Sequence, residues 1–138
     1  MYTITQLKAL CQNITVAIPE ITGGSLLVID ENNAVNQIKD KGKVILVAVV
    51  PSAEATGSLD KRRNQSAILF FILEKSKTSD TVDQVELLQS IVLKLQTHLE
   101  GLADTDCNFQ YLDAGSTTID PVHKEFGGYN GWMLTLVF

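Results

Sequence analysis

The 138-residue chain has the length of one domain, and 45% of its residues are hydrophobic, which is enough to build a buried core. Its net charge of −5 argues against a general nucleic-acid binder. The longest apolar runs, Val44–Val50 and Ala67–Leu73, fall far short of the about twenty residues that a membrane-spanning helix needs. The N-terminus lacks a basic region followed by an apolar one, so we expect a cytosolic protein without a signal peptide.

The first predicted element is a short amphipathic helix at about residues 4–13. Thr3 and Gln6 have the spacing of a capping box, which satisfies two backbone donors at a helix start. Apolar residues recur behind them at helical intervals, and Gly23-Gly24 ends any helix.

Three apolar segments predict strands, and a long periodic segment after them predicts a helix. The strands are Ser25–Ile29, Lys43–Val50 and Ser66–Leu73. The last two contain the unbroken apolar runs, which suit strands covered on both faces. The predicted helix, Thr81–Glu100, has apolar residues at intervals of three and four positions. Gly101 follows it at the position where a left-handed C′ glycine commonly ends a helix. The predicted apolar stripe comprises Val82, Val85, Leu87, Leu88, Ile91, Val92, Leu95, Leu99 and Leu102.

The remaining chain predicts further strands. Asn108–Leu112 reads as a short strand, Thr117–Ile119 as a brief extension before a proline, and Trp132–Phe138 as a terminal strand. Asn130-Gly131 is a dipeptide typical of a tight turn. We therefore predict one α+β domain over residues 1–138. It has a mostly antiparallel sheet of four to six strands, the long helix packed on one face, and the short N-terminal helix nearby.

Between two of the predicted central strands lies a polar segment, Pro51–Gln65, which we call the arm. It has no apolar periodicity, and loops of this length are uncommon in compact domains. The arm contains the only run of three cations in the chain, Lys61-Arg62-Arg63. Two interpretations stand side by side: a solvated hairpin arm, or an arm that reaches a neighbouring subunit or an anionic surface.

No pattern of catalytic or metal-binding residues stands out. The two histidines, His98 and His123, and the two cysteines, Cys11 and Cys107, lack the spacing of a zinc site. The chain has no nucleophile elbow, Walker loop or dinucleotide fingerprint. We expect buried, ordinary thiols, no cofactor, no metal and no enzymatic activity, although a small hydrolase with an unrecognisable site is a further class to consider.

The charges are unevenly distributed along the chain. Residues 1–77 hold nine Lys and Arg against seven Asp and Glu, whereas residues 78–138 hold two against nine. A mildly basic half and an acidic half could meet head to tail in an oligomer, or the imbalance could be an accident of a small sample.

The order of elements, closing on GGYNGWMLTLVF, resembles the small neck and tail-terminator proteins of tailed bacteriophages and related contractile particles. Many of these end in a strand that opens on Trp preceded by Gly, and here Gly131-Trp132 opens Met133–Phe138. The resemblance implies a structural virion protein that forms a homo-oligomeric ring, six-fold in the family, on a tail tube. It also implies tail-tube or head-connector partners, and a place in the host cytoplasm during assembly and then in the virion tail.

Of the arm, only Lys61, Arg62 and Arg63 carry over, as a subunit or tail interface. The alternative function is a small cytosolic module that binds a ligand or a partner protein. No specific nucleic acid and no membrane are expected as partners.

Overall fold

The computed structural model describes residues 3–29, 38, 43–56, 63–76, 81–105, 117–125 and 128–137, with only the backbone for 51–56, 63–66, 103 and 125. Two helices and five strands occur in these ranges, with a short 3-10 helix at Leu102–Asp104. The helices are α1, Ile4–Ala17, and α2, Thr81–Gly101. The strands are β1, Ser25–Val28; β2, Ile45–Thr56; β3, Arg63–Lys75; β4, Thr118–Glu125; and β5, Tyr129–Val137.

The five strands form one sheet in the order β1-β2-β3-β5-β4. Only β1 and β2 are parallel, and the three other neighbouring pairs are antiparallel. The predicted α+β fold with a mostly antiparallel sheet of four to six strands is confirmed. The predicted strand Asn108–Leu112 lies outside the described residues.

Both helices pack on the same face of the sheet, α1 over β1 and β2, and α2 over β5 and β3. The predicted capping box is present, because the Thr3 side chain accepts from the Gln6 backbone and the Gln6 side chain accepts from the Thr3 backbone. The helix continues one turn past the predicted end, to Ala17. The core beneath the helices contains, among others, Leu7, Leu10, Ile14, Leu46, Phe70, Ile72, Leu88, Val92, Leu95, Leu99 and Leu134.

A second apolar cluster lies on the opposite face of the sheet. It includes Ile38, which comes from outside the strands, and side chains that alternate with those of the first cluster along β2 and β3. Burial on both faces explains why these strands have apolar runs without alternation. The cluster comprises Val28, Ile38, Ile45, Val47, Phe71, Leu73, Val122 and Tyr129.

The helix α2 is rotated relative to the predicted stripe. Val82 and Leu87, predicted as core, are 71% and 72% exposed, whereas Gln84 is buried. Gly101 is not a left-handed C′ residue, because its φ of −63° is right-handed and the chain continues into the 3-10 helix. The apolar periodicity correctly predicted the helix. Packing against the sheet determines which side of its wide apolar stripe is buried.

The predicted turn at Asn130-Gly131 is wrong, because both residues lie inside β5. The chain reverses before them, where Gly128 has a φ of +105°. A Cβ on Gly131 would lie 1.8 Å from the backbone oxygen of Ile72, so this glycine permits close packing of two strands and does not serve a turn. The strand β4 also runs through Pro121, which the edge of a sheet tolerates.

Candidate assembly interface

The arm is largely a β-hairpin. The polar sequence predicted a long loop or arm at 51–65, but β2 continues to Thr56 and β3 begins at Arg63. Their backbones stay paired from Ser52 with Ala67 to Thr56 with Arg63. The polar sequence of the arm did not predict these strands, because a two-stranded ribbon is held together by backbone pairing and does not require a buried apolar face.

A β-bulge marks the base of the arm. The register passes from Val49–Leu69 to Ser52–Ala67, so two residues of β2, the second of them Pro51, oppose one residue of β3. A bulge bends and twists the strand that carries it, and it accepts a proline that a regular ladder would exclude. The arm therefore departs from the sheet at a defined point.

Beyond the bulge, the two strands of the arm extend further than the strands on either side of them. The strand β1 ends opposite Val49, and β5 ends at Val137 opposite Ala67. Four more pairs follow toward Thr56 and Arg63, with no flanking strand among the described residues. At about 3.3 Å per residue they extend the ribbon about 13 Å past the sheet. A two-stranded ribbon in water is marginally stable alone, and neither edge of this one pairs with another strand among the described residues.

Of the three cations singled out in the sequence, only the backbone of Arg63 is described, and it lies at the outer end of this ribbon. Arg63 is the first residue of β3, and its backbone pairs with Thr56. Lys61 and Arg62 lie outside the described residues, in the connection between these two positions. Backbone pairing therefore brings Arg63 to the end of the ribbon that is farthest from the sheet.

The outer edges of the sheet contrast with the arm. The strand β1 is only four residues long. The opposite edge strand, β4, contains Pro121, and Lys124 has a left-handed φ of 53° at a second register irregularity. Short strands, prolines and bulges are common devices against unwanted strand pairing. Beyond the Ser52–Ala67 pair, the paired strands of the arm have no flanking strand among the described residues.

The Gly131-Trp132 motif has a local structural role. Trp132 packs against the helix-side core, and its indole Nε1 donates to the Val85 carbonyl of α2 at 2.9 Å. Gly131 meanwhile lies against the backbone of β3. The motif thus holds β5 between the neighbouring strand and the long helix.

A buried polar network fixes the same corner of the molecule. Gln84 Nε2 donates to Glu74 Oε1 at 2.9 Å and to the Lys75 carbonyl at 2.8 Å. Its Oε1 accepts from Asn130 Nδ2 at 3.0 Å, and Asn130 Oδ1 accepts from the Lys124 backbone at 2.8 Å. The network joins α2, β3, β5 and β4, and it was not predicted because its two amides look like ordinary surface residues in the sequence.

The outer surface of the helices forms a shallow groove that was not predicted from the sequence. Its volume is about 560 Å³. Lys94 Nζ lies 2.9 Å from Glu20 Oε1 beside it, and this hydrogen bond lowers the pKa of the Glu20 carboxyl. Leu93 lies outside the predicted apolar stripe of α2 and is 47% exposed. An apolar residue at this position is the sequence signal that could have indicated the groove. The lining residues are Ala17, Ile18, Ser90, Leu93, Lys94, Thr97 and His98.

The remaining candidates for chemistry are dispersed. His98 is half-buried with its Nε2 2.7 Å from Asn13 Oδ1, and His123 is exposed on β4. Cys11 is buried, as predicted, and burial raises the pKa of its thiol to about 11. Cys107 lies outside the described residues. Within the described ranges, no group of three or more His, Cys, Asp or Glu side chains could hold a metal ion.

Neither α1 nor α2 combines the length and the apolar character that crossing a bilayer requires.

Comparisons of the chain with protein-family models, with curated proteins and with solved structures find no match.

Proposed function

We propose that this protein is a structural subunit that forms a homo-oligomeric ring on the tail tube of a phage or phage-like particle, where it terminates the tube or joins it to the head. The observation that carries the proposal is the arm, a hairpin that passes its neighbouring strands by four residue pairs. The terminal Gly131-Trp132 strand, which resembles that of tail-terminator and neck proteins, supports the particular assembly. The protein would assemble in the host cytoplasm and remain in the virion tail.

The energetics of the arm favour a role in contacts between molecules. A two-stranded ribbon gains little by folding alone, and docking on another surface would supply burial. The backbone edges of such a ribbon can also accept a strand from another chain. Lys61, Arg62 and Arg63 would add at most about 1 kcal/mol per exposed ion pair. These cations would therefore set orientation and register, while apolar contact would supply most of the affinity.

The charge distribution supports head-to-tail contacts. The first 77 residues carry two more cations than carboxylates, and the last 61 carry seven more carboxylates than cations. A heterologous contact between unlike surfaces closes into a ring when the rotation between subunits allows it. The family that the C-terminus resembles forms six-fold rings, and six is the subunit number that we propose.

The second candidate is a small cytosolic module that binds a ligand or a partner protein. The groove between the end of α1 and α2 favours it, since its volume of about 560 Å³ falls in the range of ligand pockets. A module of this kind would remain a monomer or dimer, whereas a ring requires a larger and fixed subunit number.

The test is the native mass of the purified protein, alone and on tail tubes from the cognate particle, with the wild-type arm and with Lys61, Arg62 and Arg63 all changed to Ser. We expect a ring on the tube with the wild-type chain and reduced ring formation and tail completion with the variant. A matched control changes Lys39, Lys41 and Lys43 to Ser, which removes the same charge outside the arm. Equal ring formation by the arm variant would reject the role of the cations, and a chain that never forms a ring on the tube would reject the function.

A further inference from the structure

The first half of α2 exposes an unusual surface. Val82 is 71% exposed and Leu87 is 72% exposed, although both were expected in the core. Asp83 and Glu86 are exposed beside them, at the helical spacings of Val82–Glu86 and Asp83–Leu87. We call these four residues the acceptor face, because they present two aliphatic side chains and two carboxylates together.

The negative charge of the acceptor face is not balanced from its own helix. Lys94 is the only lysine of α2, and it lies about two turns away, where its Nζ bonds Glu20 at 2.9 Å. The helix dipole stabilises a carboxylate near the start of a helix, which accounts for Asp83. The effect of the dipole on Glu86 is weak. Neither consideration explains two large aliphatic side chains in water at the same place.

The arm and the acceptor face lie at opposite ends of β3. The described part of the arm reaches as far as Arg63, the first residue of the strand, whereas Gln84 of α2 bonds Glu74 and Lys75 at the other end. Twelve residue steps at about 3.3 Å place these ends roughly 40 Å apart. The arm of one molecule therefore cannot cover the acceptor face of the same molecule, whereas the arm of a neighbouring copy can.

We propose that the acceptor face binds the arm of a second copy of this chain. The Lys61-Arg62-Arg63 run supplies charge opposite to Asp83 and Glu86, and Leu59 of the same segment supplies an aliphatic side chain for Val82 and Leu87. Complementary surfaces at opposite ends of one subunit make a head-to-tail contact, which is the contact that a ring needs. This inference rests on the proposed function and names the surface through which the subunits meet.

A reciprocal charge swap tests the contact. One variant carries Lys61→Glu, Arg62→Glu and Arg63→Glu, a second carries Asp83→Lys and Glu86→Lys, and a third combines all five changes. We expect each of the first two to weaken subunit association about tenfold or more, and the combined chain to recover most of the loss, because opposite charges then face each other again. Glu100→Lys with Asp104→Lys is the control, since it makes the same charge change at the other end of α2 and should associate as the wild type does.

Association is measured by sedimentation velocity over a concentration series, and on tail tubes if the free protein is monomeric. Circular dichroism of each variant checks that the exposed substitutions leave the fold intact. The acceptor face is wrong if the second variant associates as strongly as the wild type, or if the combined variant associates no more strongly than the first two variants. A ring formed by the wild type would then still support the proposed function. A wild-type chain that associates neither in solution nor on tubes overturns both.

Discussion

Gly131 of β5 lies so close to Ile72 of β3 that a Cβ at position 131 would stand 1.8 Å from the Ile72 carbonyl oxygen. The atoms in the way belong to the backbone, so no rotamer change can relieve the overlap. The glycine before Trp132 is therefore a requirement of strand packing at this point of the sheet.

Gly131→Ala should destabilise the protein by about 2–4 kcal/mol, because the central strand pair must separate to admit the methyl group. The free energy of unfolding from urea titration measures this loss. Gly101→Ala is the matched control: Gly101 is helical, a methyl group there would extend into open space, and alanine should stabilise by about 0.5–1 kcal/mol. A loss below 1 kcal/mol for Gly131→Ala would contradict the close packing.

Gln84 and Asn130 should show strong energetic coupling. Asn130→Ala removes the partners of the Gln84 amide oxygen and the Lys124 backbone N–H, so we expect a loss of about 2–3 kcal/mol. A double-mutant cycle with Gln84→Ala should give a coupling of about 1–2 kcal/mol. The exposed Gln96–Glu100 hydrogen bond on the same helix is the control, with an expected coupling below about 0.5 kcal/mol. Equal coupling in the two cycles would show that the buried network is not a special link.

Leu95→Ala and Leu87→Ala should differ sharply although both shorten a leucine of α2. Leu95 is fully buried in the helix-side core, so its truncation should cost about 2–5 kcal/mol. Leu87 is 72% exposed, and its truncation should change stability by less than about 0.5 kcal/mol. Chemical denaturation of both variants measures the difference. Similar losses would mean that the helix is rotated from the orientation described.

The Cys11 thiol should make stability fall at high pH. Burial raises its pKa from 9.0 to about 11, so the folded state holds the proton more tightly than the unfolded state. This stabilisation is fully present below pH 9 and is lost as the pH rises toward 11. The difference in unfolding free energy between the wild type and Cys11→Ala should therefore shrink by about 2 kcal/mol over this window. A difference that stays constant would show that the folded and unfolded states hold the Cys11 proton equally tightly.

Local sequence signals account for the positions of most helices and strands. The capping box at Thr3, the three-and-four spacing of apolar residues in α2 and the apolar run Ala67–Leu73 are local signals, and each produced the expected helix or strand. Burial of Leu95 and of Cys11 follows from the same local patterns.

The other features depend on contacts between residues that are distant in the sequence, because such contacts select among the conformations that local sequence allows. Asn130-Gly131 has the composition of a turn, yet the approach of Ile72 and the bond to Gln84 place it in a strand. The outer flank of the α2 stripe has the composition of a core, yet Val82 and Leu87 face away from the sheet. The arm has the composition of a loop, yet backbone hydrogen bonds, which no side-chain pattern encodes, extend the hairpin to Thr56 and Arg63.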